Sequence, residues 1–225
     1  QQPKTMVKIQ GAPILSHIVD AYNAVGIKDI VVVRGYKKEA VNLPNLTYVD
    51  NNDFADTGEL DSLLKALQSK KGHVQSTIIS YGDVLFNKYI PQSLCQETDD
   101  CVIFVDSNWQ EQTSYARLGG FTECTIPNSR KAFNAKIYLK QMGNNIPQAS
   151  IHGVWMGFLK VSPSATTLIT EIIAELLAKP ANRKAGIPQL LQELLKRQYP
   201  IRVLYTAGHW LDINSLEDVV QAGNF

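Results

Sequence analysis

Three aspartates stand just after runs of β-branched and aromatic residues. They are Asp83 in Ser80-Tyr81-Gly82-Asp83-Val84, Asp106 in Val105-Asp106-Ser107-Asn108-Trp109, and Asp212 in His209-Trp210-Leu211-Asp212-Ile213. In open α/β sheets ligands bind at the carboxyl ends of the strands, so three carboxylates there could converge on one crevice. Hard oxygen donors of this kind suit Mg²⁺ held together with substrate phosphates. Each aspartate also has a plainer reading, as a turn residue or a helix N-cap. For Asp83, preceded by Gly82, the two readings balance. Asp106 leans to a structural role. Asp212 competes with Asn214 and Ser215 for the start of the last helix. Lys4, behind Pro3, is either a solvated lysine or a point charge for a polyphosphate.

A second group of residues is less committed. Thr57-Gly58-Glu59-Leu60-Asp61-Ser62 opens a helix. Glu59 and Asp61 either complement its dipole or flank a ligand site, and Ser62 could face a nucleotide. His152-Gly153-Val154-Trp155-Met156-Gly157 puts two glycines in a strand, which either admit a close ligand or mark a bulge. Trp155 reads as core before it reads as an aromatic platform. His17 reads as packed and His73 as exposed. The chain has no GxSxG elbow, no GxxxxGK[ST] loop and no Cys/His pair at a telling spacing.

The elements that must position these residues alternate. Helical spacing of Ile14, Leu15, Ile18, Val19, Tyr22 and Val25 predicts a first helix, with Pro13 in its first turn and Gly26 as its C-cap. Strands are expected at 30–33, 47–49, 77–80 and 101–105, the first as a buried parallel-type run and the third as buried. Helices are expected at 58–69, capped by Asp56 or Thr57, and at 87–95. Beyond the less regular stretch 107–150, strands are expected at 136–142, 154–161 and 201–205. Helices follow at 164–178, 187–197 and 215–222. Alternating strands and helices predict an α/β layered fold, one domain over 1–225 with an insertion around 107–150.

Composition removes several function classes. With 22 Lys+Arg against 21 Asp+Glu, the chain lacks the basic excess of a nucleic-acid binder. No apolar run approaches the roughly 20 residues needed to cross a bilayer. Three cysteines without a CxxC pair suggest a reducing, cytoplasmic setting. The four histidines lie far apart, which argues against zinc.

These stretches in order resemble the NTP-dependent sugar-phosphate and choline-phosphate nucleotidyltransferases. The resemblance rests on Pro3-Lys4, Gly11-Ala12-Pro13-Ile14-Leu15, Val25-Gly26-Ile27, Ile30-Val31-Val32-Val33, Tyr81-Gly82-Asp83 and Gly208-His209-Trp210-Leu211-Asp212-Ile213. A narrower likeness is to the phosphonate cytidylyltransferases often fused to phosphoenolpyruvate mutase. It adds Val33-Arg34-Gly35-Tyr36-Lys37, Thr57-Gly58-Glu59-Leu60 with Ser62-Leu63, Ser80-Tyr81-Gly82-Asp83-Val84-Leu85-Phe86, and His152-Gly153 with Trp155 and Gly157.

The resemblance implies a Rossmann-like, mostly parallel mixed sheet with helices on both faces. It implies CTP as the donor and Mg²⁺ as the cofactor, with CMP passing to 2-hydroxyethyl- or 2-aminoethylphosphonate and pyrophosphate leaving. Residue by residue, it implies Asp83 and Asp212 as metal ligands and Lys4 as the phosphate-touching lysine. Glu59, Ser62, Tyr81 and Gly82 would lie at the nucleotide, and Asp106, Trp109, His152 and Trp155 at the acceptor. A mutase fusion or association and a homodimer belong to the same expectation. Two departures stand out. The family's opening strand and Arg-containing Gly-rich loop would lie before Gln1, and Val154 stands where the narrower family has Glu. A phosphocholine or sugar 1-phosphate acceptor, with Trp109, Tyr115 and Trp155 as an aromatic cage, is the alternative within the enzyme class. A nucleotide-binding domain without catalysis is the alternative outside it.

Overall fold

The computed structural model describes residues 2–70, 75–111, 120–132 and 135–224. Its strands are β1 (Lys8–Ile9), β2 (Ala12–Pro13), β3 (Val31–Arg34), β4 (Thr47–Asp50), β5 (Thr77–Ile79), β6 (Val84–Phe86), β7 (Cys101–Asp106), β8 (Phe121–Cys124), β9 (Ile137–Met142), β10 (Gly153–Val161), β11 (Arg202–Thr206) and β12 (Trp210–Asp212). Its helices are α1 (Ile14–Ala24), α2 (Glu59–Ser69), α3 (Tyr89–Gln96), α4 (Pro163–Leu177), α5 (Ile187–Lys196) and α6 (Leu216–Ala222).

The central sheet runs β5-β10-β7-β11-β9-β8, and every residue of β7 and β10 is buried. Alternation along β7 sorts its side chains to two faces. Cys101, Ile103 and Val105 join Leu60 and Leu63 of α2, Ile169 and Ile172 of α4, and Leu190 and Leu194 of α5. Val102 and Phe104 join Ile14 and Ile18 of α1, Ile90 and Leu94 of α3, and Ala222 of α6. Helices therefore cover both faces, as the α/β reading expects. Parallel pairing carries less of the sheet than expected. Among the described residues only β7–β11, and β3–β4 in a separate two-stranded sheet, pair parallel. The nine-residue β10 lies antiparallel between β5 and β7, and β8 and β9 add further antiparallel pairs.

Local chemistry sets the helix ends. Ser162 caps α4 by accepting a hydrogen bond from the Ala165 amide, with Pro163 in the first turn. Ser215 and Asp218 form a reciprocal capping box at α6, so Asp212 stays outside the helix. Gly26 follows α1 at φ +85, the left-handed conformation that suits glycine after a helix. Three expectations are corrected. Pro13 belongs to β2 and precedes α1 as its N-cap. Gly58 caps α2, because the Thr57 hydroxyl is turned back to donate to the Asp53 carbonyl. Strands β3 and β5 are half-buried where full burial was expected. Among the described residues β3 pairs only with β4 and β5 only with β10, so one edge of each lacks the neighbour that would cover it.

Candidate active site

Short strand β12 pairs antiparallel with β6, setting Asp212 opposite Val84. The Ile213 amide donates to the Asp83 carbonyl at 3.0 Å. The two aspartates that sequence placed after distant strands thus stand side by side at one sheet end. Lys4 completes the group from a 3₁₀ turn, Lys4–Met6. Its Nζ lies 3.0 Å from Asp83 Oδ2 and donates to Asn214 Oδ1 at 3.0 Å. Asn214 Nδ2 in turn donates to Asp212 Oδ2 at 2.6 Å. The result is a continuous chain, Asp83–Lys4–Asn214–Asp212, partly open to solvent. Sequence reasoning considered Asn214 only as a helix cap. Its position two residues beyond Asp212, on the same side of an extended segment, was the available signal.

Tyr81 and Gly82 lead into Asp83. Gly82 packs near Thr5, whose side chain would lie 3.5 Å from a Cβ at Gly82. The Thr5 hydroxyl is buried without a hydrogen-bond partner among the described residues. The Tyr81 ring packs edge-on over Trp155, centroids 5.8 Å apart, and its hydroxyl donates to Glu59 Oε2 at 2.7 Å. Burial holds its phenol far above the ordinary range, reinforced by the Glu59 charge and hydrogen bond and, more weakly, by Asp83 and Asp212. Glu59 Oε2 also accepts from the Ile187 amide at 3.1 Å, joining α2 to the start of α5. The seat for Tyr81 is Gly157, at φ +84 within the β10 bulge: a Cβ there would sit 2.4 Å from Tyr81 Cδ2. The glycine pair therefore serves close packing and a bulge within the protein. Gly153 likewise admits Val105 and the Asp106 carbonyl.

The remaining sequence candidates separate. Ser62 accepts from the Asn51 amide nitrogen Nδ2 at 3.0 Å, and the same nitrogen donates to Thr57 Oγ1. Asn51 is buried just beyond β4, the strand-end position that singled out the aspartates, and was overlooked. Asp106 is fully buried. Its Oδ2 accepts from Trp210 Nε1 at 2.7 Å, and its Oδ1 from the Asn108 and Gly208 amides. Trp155 is also fully buried and donates to the Phe158 carbonyl. Asp106 and Trp155, both expected at the acceptor, are thus enclosed side chains with internal partners. Trp109 is partly buried and packs edge-on against Phe121 at 5.3 Å. His152 Nδ1 accepts from the Cys124 amide at 3.1 Å. Neither is tied to the Lys4 chain by these contacts. Tyr115 and His73 lie outside the described residues. His17, as expected, is packed: it is half-buried, its Nε2 2.8 Å from the Ile9 carbonyl.

Burial pushes the Cys101 thiol up to about 12 and the Cys124 thiol up to about 11, so both remain protonated at neutral pH. No group of three His, Cys, Asp or Glu residues poised for a metal occurs among the described residues. Asp83 and Asp212 are hard-oxygen donors, one paired directly with an ammonium cation and the other joined to it through the Asn214 amide, and such donors suit a divalent ion held with substrate phosphates. No helix among the described residues is long and apolar enough to cross a membrane.

Comparison with known proteins bears on the fold and the family. CTP:phosphoglutamine cytidylyltransferase of Campylobacter jejuni is 23% identical over 239 aligned positions, spanning 97% of this chain and 90% of that protein. UTP–glucose-1-phosphate uridylyltransferase of Haloferax volcanii is 27% identical over 125 positions, 51% of this chain and 50% of that protein. The CTP:phosphocholine cytidylyltransferase of Streptococcus pneumoniae superimposes with a TM-score of 0.68 at 13% identity, over 100% of this chain and 90% of that one. The inositol-1-phosphate CTP transferase of T. maritima superimposes at 0.74 with 14% identity, over 99% and 86%. Likeness at such low identity shows the α/β nucleotidyltransferase fold. The family described as the MobA-like NTP transferase domain matches residues 1–197, most of the length that carries these elements, and the chain belongs to that family of nucleotidyltransferases.

Proposed function

We propose that the protein transfers CMP from CTP to a small phosphonate, releasing pyrophosphate. The observation that carries the reading is the Asp83–Lys4–Asn214–Asp212 chain, two carboxylates and a cation at one sheet end. CTP as donor is supported by the cytidylyltransferases among the similar proteins. A phosphonate acceptor, 2-hydroxyethyl- or 2-aminoethylphosphonate, is supported by the ordered sequence motifs.

A phosphonate oxygen attacks the α-phosphorus of CTP, the bond from that phosphorus to the β-phosphate bridge breaks, and pyrophosphate departs with the electron pair. The attacking oxygen is already ionised at neutral pH, so the site needs no general base. Such transfers depend on alignment and charge stabilisation more than on covalent help. Lys4 supplies positive charge to the phosphates. Asp83 and Asp212 would hold Mg²⁺, which offsets the charge developing on the α-phosphate and the leaving group. Tyr81, fixed between Gly157 and Glu59, keeps the Gly82-Asp83 turn in place.

A second reading, a phosphomonoester acceptor, is favoured by the similar proteins, whose names specify phosphoglutamine, phosphocholine, inositol 1-phosphate and glucose 1-phosphate. Pyrophosphate release with CTP, Mg²⁺ and each acceptor in turn separates the two. Preference for the phosphonates supports the first, preference for a phosphomonoester the second. No release with any NTP and any acceptor rejects both.

A further inference from the structure

Lys4 stands directly against one of the two carboxylates proposed to hold a divalent ion, and within one amide of the other. Its ammonium touches Asp83 directly and reaches Asp212 through the Asn214 amide. Two neighbouring carboxylates repel unless a positive charge lies between them. Lys4 supplies that charge at Asp83 directly and bears on Asp212 through the polarised Asn214 amide. The side chains of Lys4 and Asp83 are 31% and 26% exposed, and an ion pair so open to water is held weakly. A compact ammonium on a flexible four-carbon stem can swing away without moving the backbone. That backbone is fixed: the Val7 amide donates to the Lys4 carbonyl, and the Ile14 amide to the Val7 carbonyl.

Two carboxylates alone make a poor Mg²⁺ site, since that ion is ordinarily held by one or two carboxylates plus substrate phosphates. Among the described residues no third His, Cys, Asp or Glu joins them. We propose that Lys4 is the resident counter-ion of the Asp83–Asp212 pair, excluding free divalent cations until a triphosphate draws it away. Lys4 then has two successive partners, a carboxylate in the free protein and phosphate in the complex. Asn214 is the positioning residue that ties the departing ammonium to Asp212. The divalent ion consequently enters with the nucleotide and not ahead of it. This inference rests on the proposed function for the identity of the incoming ligand, but its first half concerns the free protein alone.

The test is Mn²⁺ binding to the full chain without nucleotide, read by electron paramagnetic resonance. Lys4→Met should bind Mn²⁺ about tenfold more tightly than the unaltered protein, a gain of about 1.4 kcal/mol. Lys4→Gln should behave alike and serves where the first variant fails to fold. Adding Asp83→Asn to either should erase the gain. Unchanged or weaker Mn²⁺ affinity in both lysine variants overturns the proposal, as does a gain that survives Asp83→Asn. The two failures stay distinguishable. A protein that turns over CTP but shows no such gain loses this inference alone. One that shows the gain but releases pyrophosphate with no NTP loses the functional reading alone.

Discussion

Asp83 and Asp106 both follow strands of the central sheet, and both are tied to the β12 segment, yet their surroundings are opposite. Asp106 is fully buried, and rigid donors surround it: the Trp210 indole and the Asn108 and Gly208 amides. Asp83 is partly open and faces a lysine that can leave. Fixed N–H donors in a dry setting use up a carboxylate, because losing any of them would strand a buried charge. A flexible ammonium at a wet edge leaves a carboxylate able to change partners. Position after a strand is thus shared by an enclosed aspartate and by the open one proposed for the site, and the nature of the partner separates them.

Substitution of both aspartates is the strongest way to break this comparison. Asp106→Ala should lower stability by about 3–5 kcal/mol, since three donors lose their acceptor. At roughly 2–4 °C per kcal/mol for a chain of this size, thermal unfolding reads this directly. Asp83→Asn should leave the unfolding midpoint within a few degrees and lower pyrophosphate release by about a hundredfold or more, the scale of losing one preorganised charge contact. If instead Asp83→Asn unfolds the protein and Asp106→Ala keeps full stability, the division between site and scaffold is reversed.

A smaller effect sharpens it. Gly157→Ala adds a Cβ 2.4 Å from the Tyr81 ring, at a φ of +84 that disfavours any side chain. The expected cost is about 1–3 kcal/mol. Turnover should fall as well, because Tyr81 leads directly into Gly82-Asp83. Gly26→Ala, which also has positive φ but open space around it, should cost stability and leave turnover unchanged. Equal turnover in the two variants would detach Tyr81 from the site.

The legible parts of the fold were those with a strong period or a continuous run. Helices α2, α4 and α5 and strands β7 and β10 follow their apolar patterns because each buries a full face. Strands β6 and β12 and the β1–β2 hairpin escaped notice because two or three residues carry no period. Those short strands are the ones that bring Asp212 and Asn214 to Asp83, so convergence of the pair was an inference from topology. Trp155 reads as core from its own surroundings, and its place at the acceptor came from the resemblance alone. The glycines in fact admit Tyr81 and the Val105–Asp106 backbone. Asn51 gives no comparable signal in the sequence, because an amide after a strand lacks the charge that marks the aspartates.

The smallest effect concerns a third carboxylate, at the opposite end of β7. Asp100 precedes that strand and accepts from Ser162 Oγ at 2.5 Å, Ser164 Oγ at 3.2 Å and the Tyr199 hydroxyl at 3.2 Å. The Ser162 hydrogen bond, which outweighs the opposing effect of partial burial, holds its carboxyl below the usual carboxylate range, with help from Ser164 and Tyr199. Its donors are hydroxyls, neither as rigid as those of Asp106 nor as free as Lys4. A depressed pKa in the folded state means that the unfolded chain binds the proton first as pH falls. The stabilisation is therefore complete above the unfolded carboxyl value of about 3.9 and disappears as pH drops through the lower folded value. Asp100→Asn should flatten the acid side of the stability–pH curve, measured by denaturant unfolding between about pH 5 and pH 2, relative to the unaltered protein. Pyrophosphate release at neutral pH should not change. Loss of turnover in that variant would mean that hydroxyl-held carboxylates also reach the site, and the partner rule drawn from Asp83 and Asp106 would need a further condition.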